Sequence, residues 1–340
     1  MTKKISTLAD MAKLAGVSES TVSRALSGSK LVSNKTKERI QALANEADFS
    51  VNTSARNLRL QKSNTIAVVL LIKSEQDQSA TDPFILGLLG VIADELTKKG
   101  YDMLLASHKC QDKLWLSRYF DSKRADGVIV FGQGDSTEIF EKVVRDEMPL
   151  VVWGAKETES HYVTVGTDNY LGGKLATEHL IQQGCKNIAY AGHLTIETSL
   201  RYQGYQDALK KAAINKQHHI DVHFTYQDGY TVAKKMFESG DFNYDGIVAA
   251  SDTIALGMLK AFNDVKNENP ELNLPDHFAI VGYDDIEVAG FTHPSLTTIR
   301  QDTQQGGKLL VDILFKQINK ESVESCELDT ILIERESSRL

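Results

Sequence analysis

From Thr65 to about Val281 the chain repeats one pattern: a short apolar run, then a helical stretch, then another apolar run. Residues 65–72 form one unbroken run of this kind, and 127–131 and 150–153 form two more. A strand covered by helices on both faces has no polar side to show, so its sequence loses the polar–apolar alternation of a half-exposed strand. The spacing predicts strands at 65–72, 102–106, 127–131, 150–153, 187–191, 246–250 and 278–281. It predicts helices at 83–99, 168–182, 199–213 and 253–262. Alternation of this sort builds parallel, doubly wound sheets with right-handed crossovers. Two series of similar length, the second starting near Asp168, predict two α/β lobes. Ligands of such sheets lie beyond the carboxyl ends of the strands, so two facing lobes make a cleft.

Several side chains stand at those ends. Phe84 can stack on the apolar face of a sugar ring. Arg201 offers a planar fork for two hydroxyls or a carboxylate. Asp252 and Asp284 closely follow strands and can accept from pairs of hydroxyls. Trp153 ends a strand and either lines the cleft or packs in the core. The same alternative holds for Phe84 and Phe224, and Asp252 serves equally well as a helix cap.

The first sixty residues have a different character. Leu8, Met11, Ala12 and Ala15 keep helical spacing, giving one apolar face. Gly16 falls where that helix must end, and glycine tolerates the left-handed backbone just past a helix terminus. Ser18 is placed to cap a second helix. That helix turns Val22, Ala25 and Leu26 inward and Glu19, Ser20, Ser23 and Arg24 outward. A third helix is expected from about Asn34 to Asn45, capped by Ser33. Helix, tight turn and helix with a polar outer face fit a DNA major groove, where arginine can hold guanine with two parallel hydrogen bonds. The plain alternative is a three-helix surface domain without a ligand.

Charge favours the DNA reader. Residues 1–62 hold eleven Lys or Arg and five Asp or Glu, a net of +6, in a chain of net −8; the remainder carries −14. A basic head on an acidic body confines affinity for phosphate to the head. No apolar run reaches the length of a membrane span. The N-terminus lacks the apolar core of a secretion signal. Cys110, Cys185 and Cys326 are odd in number and far apart, as expected of reduced cytoplasmic thiols rather than disulfides or a zinc site.

With these residues in view, the chain resembles the lactose/galactose repressor (LacI/GalR) family of bacterial transcription regulators. The resemblance runs from Leu8 to Leu26, through Val32-Ser33 and Lys35-Thr36, and through 52–59, which looks like that family's hinge. It continues in order through Asp82-Pro83-Phe84, Asp168-Asn169 with Gly172-Gly173, Arg201 with Gly204-Tyr205, Ser251-Asp252 with 255–257, Val281 to Asp285, and 296–299. It implies a helix-turn-helix headpiece (1–49), a hinge helix and linker (50–62) and a two-lobed periplasmic-binding-protein-like effector domain (63–340). Its N-lobe would be about 63–163 with 293–323, and its C-lobe about 164–292 with 324–340. The implied DNA contacts are Thr7, Glu19, Ser20, Thr21, Ser23, Arg24 and Leu31, plus Asn52, Ala55 and Leu58 of the hinge. Phe84, Arg201, Phe224, Ser251, Asp284 and Gln301 match effector-contacting positions. Trp153 and Asp252 join them from the strand-end reading.

The expected protein is a cytoplasmic homodimer that binds a palindromic operator on double-stranded DNA. It responds to a mono- or disaccharide, with a glucoside among the candidates, and uses no cofactor or metal. Two positions depart from the family. Val51 stands where many relatives have proline, and Gly154 where many have a charged side chain. Glu197, one turn before Arg201, can compensate at the second. A purine co-repressor is the main rival effector. A secreted sugar-binding protein shares the two-lobed plan but lacks the headpiece. An enzyme is disfavoured: no phosphate loop, metal spacing or nucleophile motif appears, and His218-His219 reads as a turn or strand edge.

Overall fold

A computed structural model describes residues 5, 7–26, 29, 31–49, 62–71, 80–108, 112–134, 136–157, 159–239, 242–268 and 278–339. The chain divides into two compact units, Met1–Ser63 and Asn64–Leu340.

The first unit is helical: α1 (Leu8–Ala15), α2 (Glu19–Leu26) and α3 (Asn34–Glu46). Thr7 caps α1, accepting from the Asp10 amide at 3.1 Å. Gly16 closes that helix at φ 62°, as its position requires. Ser18 accepts from the Thr21 amide at 3.2 Å and starts α2. Ser33 caps α3 through the Thr36 amide at 3.3 Å. Met11, Ala15, Val22, Ala25, Ile40 and Ala44 form the core of this unit.

The second unit contains two six-stranded sheets with matching strand order. The first sheet holds β1 (Thr65–Leu71), β2 (Asp102–His108), β3 (Gly127–Phe131), β4 (Leu150–Trp153) and β5 (Val163–Thr167). These run in the order β2-β1-β3-β4-β5, and β11 (Cys326–Leu328) lies beside β5. The second holds β6 (Ile188–Ala191), β7 (His218–Ile220), β8 (Gly246–Ala249), β9 (Ala279–Asp284) and β10 (Thr297–Arg300). Its order is β7-β6-β8-β9-β10, and β12 (Ile331–Ile333) closes the edge antiparallel to β10. Helices α4 (Pro83–Lys98), α5 (Ser117–Asp121), α6 (Thr137–Arg145) and α11 (Thr303–Ile318) belong to the first lobe. Helices α7 (Asn169–Gln182), α8 (Ile196–Lys211), α9 (Tyr226–Ser239) and α10 (Asp252–Glu268) belong to the second.

The lobe boundaries read from the sequence need correction. Residues 297–300 were assigned to the N-lobe, but β10 pairs with β9 in the second sheet. Leu296 and Ile299 are fully buried there, and the Thr298 hydroxyl donates to Asp252 at 2.5 Å. Residues 326–328 were assigned to the C-lobe, but β11 pairs with β5 in the first sheet. The Ser325 hydroxyl holds the Thr164 amide at 3.0 Å. The chain therefore crosses between lobes after Thr167, after Arg300 and after Leu328. The helix expected at 199–213 starts earlier, at Ile196, because Thr195 and Thr198 form a reciprocal capping box. His218-His219 lies on the edge strand β7.

Candidate functional site

In the headpiece, Glu19, Ser20 and Arg24 are exposed on α2, with Thr21 and Ser23 half-buried beside them. Leu31 is exposed beyond that helix. The Thr7 hydroxyl donates to the Asp10 carboxylate at 2.7 Å, so its first task is to fix the start of α1. Asn52, Ala55 and Leu58, and Val51 before them, lie outside the described residues.

The larger unit contains a cavity of about 750 Å³ at strand ends, walled by residues of both sheets and their helices. Phe84, Trp153, Arg201, Phe224, Asp284 and Gln301 all line it. The rings of Phe84 and Trp153 lie 5.7 Å apart and tilted by 51°, forming one aromatic corner.

Opposite them, Arg201 is buried on α8. Its Nε donates to Asn169 Oδ1 at 2.8 Å, and its Nη1 donates to the Ala250 carbonyl at 2.6 Å. Its guanidinium sits 3.6 Å from the ring centre of Tyr283. From Asn169 the network runs on: its amide donates to the Thr167 carbonyl at 3.0 Å. The Thr167 hydroxyl donates to Gln301 at 3.0 Å, and Gln301 donates to Asp284 Oδ1 at 2.7 Å. One chain of hydrogen bonds thus ties α8, β5, the segment after β10 and the end of β9 into a single polar wall. Buried polar groups joined in this way hold a fixed geometry.

Asp284 and Asp285 both have positive φ, 126° and 57°. That backbone costs a non-glycine residue energy and persists only where its surroundings enforce it. Here Arg300 Nε and Arg335 Nη2 each hold one oxygen of Asp285 at 2.6 Å. The strained pair keeps the Asp284 side chain on the cavity wall.

Ser251 and Asp252 are not brought to that wall. The Ser251 hydroxyl accepts from the Ile254 amide at 3.3 Å, as a cap of α10. Asp252 is fully buried behind it and accepts from the Ile286 amide at 2.9 Å and from Thr298. Both residues follow closely after β8, as Asp284 ends β9, but their side chains turn into the lobe.

Residues absent from the sequence-based set also line the cavity. Asp82, buried, caps α4 by accepting from the Phe84 and Ile85 amides at 2.9 and 3.4 Å. The Asp-Pro pair opening a helix was a legible signal for it. Gln133 is fully buried. It accepts from the Ala155 amide at 2.8 Å and donates to the Ala155 carbonyl and to Tyr162 at 3.0 and 2.8 Å. A Cβ on Gly154 would come within 2.7 Å of Gln133. The side chain expected at 154 is therefore replaced by the Gln133 amide from the neighbouring strand end. Glu197 lines the cavity too, but its carboxylate accepts from the Thr195 hydroxyl at 2.9 Å, and no ion pair to Arg201 forms among the described residues.

Burial pushes Asp284 well above the ordinary carboxylate range. The Asp252 carboxylate adds to this, and Arg201 opposes it. Burial also pushes Asp252 up to about 7, against hydrogen bonds from Thr298 and Ile286. A proton held more tightly folded than unfolded stabilises the fold. That contribution is complete below the unfolded value, near 3.8, and is lost as the pH climbs through the folded one. The unfolding free energy is expected to fall between about pH 4 and about pH 7 on account of these groups. Asp284→Asn keeps an oxygen for Gln301 and cannot ionise, so it should flatten the fall. Urea titrations at both pH values test this, and an unchanged slope in the variant contradicts it.

Among the described residues no group of His, Cys, Asp and Glu is placed to hold a metal, and no helix is long and apolar enough to cross a membrane.

Two family models match the two units. One, described as bacterial regulatory proteins, lacI family, matches residues 7–52. The other, described as a periplasmic binding protein-like domain, matches residues 177–338. The chain thus joins a lacI-family helix-turn-helix domain to a periplasmic-binding-like domain. Along its length the chain is similar to the ribose operon repressor of Escherichia coli (strain K12). They are 28% identical over 346 residues, 98% of this chain and 100% of the other. It is also 29% identical to the HTH-type transcriptional regulator CelR of Thermobifida fusca, over 97% of this chain and 98% of that one. The crystal structure of the lac repressor dimer bound to operator and the anti-inducer ONPF matches with a TM-score of 0.83. That match covers 98% of this chain and 99% of the other at 23% identity, and it shows that the chain has the lac repressor fold.

Proposed function

We propose that the chain is a transcriptional repressor that binds a two-fold symmetric operator as a homodimer and is controlled by a small carbohydrate in the cleft. The observation that carries this reading is the cleft's wall chemistry, in a chain that also holds a lacI-family headpiece. An aromatic corner (Phe84 and Trp153) faces a buried arginine, carboxylate and amide joined by hydrogen bonds. An apolar ring face and a fixed set of hydroxyl partners are what a pyranose or furanose presents. A relative named as the ribose operon repressor supports a sugar. A site of action in the bacterial cytoplasm follows from the operator.

The partner surface in this reading is an apolar face of the larger unit. Leu86 on α4, Val288 and Phe291 are 50%, 42% and 83% exposed. They line one shallow hollow with Tyr226, and a second copy would cover them. Asn52, Ala55 and Leu58 are assigned the role of a hinge that folds against the minor groove.

A thermal-shift screen tests the effector, since a ligand that binds only the folded state raises its stability. Ribose, cellobiose, other mono- and disaccharides and a purine base form the panel. A sugar that raises the melting temperature and also alters operator binding supports the reading. A response to the purine base alone replaces the sugar with a purine co-repressor.

Base reading is assigned to α2. Arg24→Ala is expected to cost about 1–3 kcal/mol on the operator and much less on random DNA. Fluorescence anisotropy on both duplexes measures this. Equal losses would reduce Arg24 to a backbone contact.

A further inference from the structure

The cleft is built against negative charge. Among the described residues four acidic side chains line it: Asp82, Glu157, Glu197 and Asp284. Asp82 and Asp284 are each more than nine-tenths buried. Each commits Oδ1 to protein donors, and among the described residues no donor takes the other oxygen. Among the described residues the cations lining the cavity are Lys156, which is exposed, and Arg201. His193 also lines it and is paired through Nδ1 with Asp221 at 3.0 Å.

Arg201 is poorly placed to take an anion. A guanidinium grips phosphate or carboxylate by presenting two parallel N–H groups. Its Nε is already donated to Asn169 and its Nη1 to the Ala250 carbonyl, so the edge formed by Nε and Nη2 has lost one of its two donors. Helix N-termini are the other common anion sites, and two open onto this cleft. Each already carries a carboxylate of the chain itself. Asp82 caps α4. Glu197 sits in the first turn of α8, whose Thr195–Thr198 capping box takes up amide donors at that end.

We infer that Asp82 and Glu197 are specificity-determining residues that reject anionic ligands, so the effector is a free sugar and not a sugar phosphate, a sugar acid or a nucleotide. This rests on the carbohydrate reading above and narrows it. The carboxylates do two things. Their free oxygens accept from hydroxyls, and their field raises the energy of any anion that must shed water to enter.

The chain has two tryptophans, Trp115 and Trp153, and only Trp153 lines the cleft. In a Trp115→Phe variant, quenching of Trp153 by caesium and by iodide is compared at constant ionic strength. Each is normalised to its quenching of free tryptophan, with acrylamide as the neutral reference. Caesium should exceed iodide by roughly tenfold, the lower end of what a cleft of one sign achieves. Asp82→Asn with Glu197→Gln should close most of that gap. If Trp115→Phe fails to fold, the same comparison is made on wild type after subtracting Trp153→Phe. Iodide quenching equal to or above that of caesium, or no quenching by either ion, overturns the inference. In a second arm, calorimetry compares ribose with ribose 5-phosphate. Equal or tighter binding of the phosphate also overturns it. Failure of both sugars to bind faults ribose as the effector and leaves the quenching ratio to decide the charge rule.

Discussion

Arg201→Ala is expected to lower the unfolding free energy by about 3–5 kcal/mol and to abolish the response to effector, while the headpiece still binds DNA. The magnitude comes from what the side chain leaves behind. Asn169 Oδ1 and the Ala250 carbonyl lose their donor, each at about 1–3 kcal/mol in a buried setting. The stacked Tyr283 ring loses a desolvated cation worth up to about 2 kcal/mol. Relaxation recovers part of the total. The effect on ligand extends further, because Asn169 leads through Thr167 and Gln301 to Asp284. Arg201→Lys should recover charge but not response, since an ammonium cannot reach Asn169 and Ala250 with the same planar geometry. Urea unfolding and effector titration on both variants measure this. Normal effector affinity in Arg201→Ala would remove the residue from the site.

Gly173→Ala should be as damaging without touching a polar group. A Cβ there would lie 1.9 Å from the Arg201 carbonyl oxygen, which is backbone and cannot rotate away. Helices α7 and α8 would have to separate, carrying Arg201 with them. Overpacking costs about 1–3 kcal/mol and occasionally more, and contact with rigid backbone puts this site at the upper end. Denaturant midpoints give the stability, and effector titration shows whether the cleft moved. Stability within about 0.5 kcal/mol of wild type, the range of an ordinary surface change, would mean that the helices are not pressed together at this point.

The parts of this molecule legible in its sequence are those governed by local rules. β1 is an unbroken apolar run. Gly16, Ser18 and Ser33 mark helix ends by their own chemistry, and α3 begins at Asn34 as its cap dictates. β10 and β11 fall in the lobes opposite to those expected, because a strand of three or four residues carries no mark of which sheet it joins. Pairing is decided by distant partners such as Asp252 for Thr298 and Ser325 for Thr164.

The site shows the same division. Trp153 and Asp284 stand at strand ends, and Phe84 and Arg201 on helices that follow strands, all places that periodicity locates. Ser251 and Asp252 stand at such ends equally well and face away, since side-chain direction there follows from backbone angles and packing. Gln133 has no motif. Its role depends on Gly154 across the strand and on Ala155 and Tyr162 beyond it, and no local pattern records that meeting.

The most direct test of the central claim is selection of binding sites from randomised duplex DNA by the full chain, followed by challenge of the selected duplex with sugars. The account predicts enrichment of a two-fold symmetric sequence. It also predicts affinity that falls steeply with salt, as phosphate contacts require, and a change in that affinity on adding an uncharged mono- or disaccharide. Lack of sequence enrichment, or an enriched duplex whose affinity no small molecule alters, would contradict it.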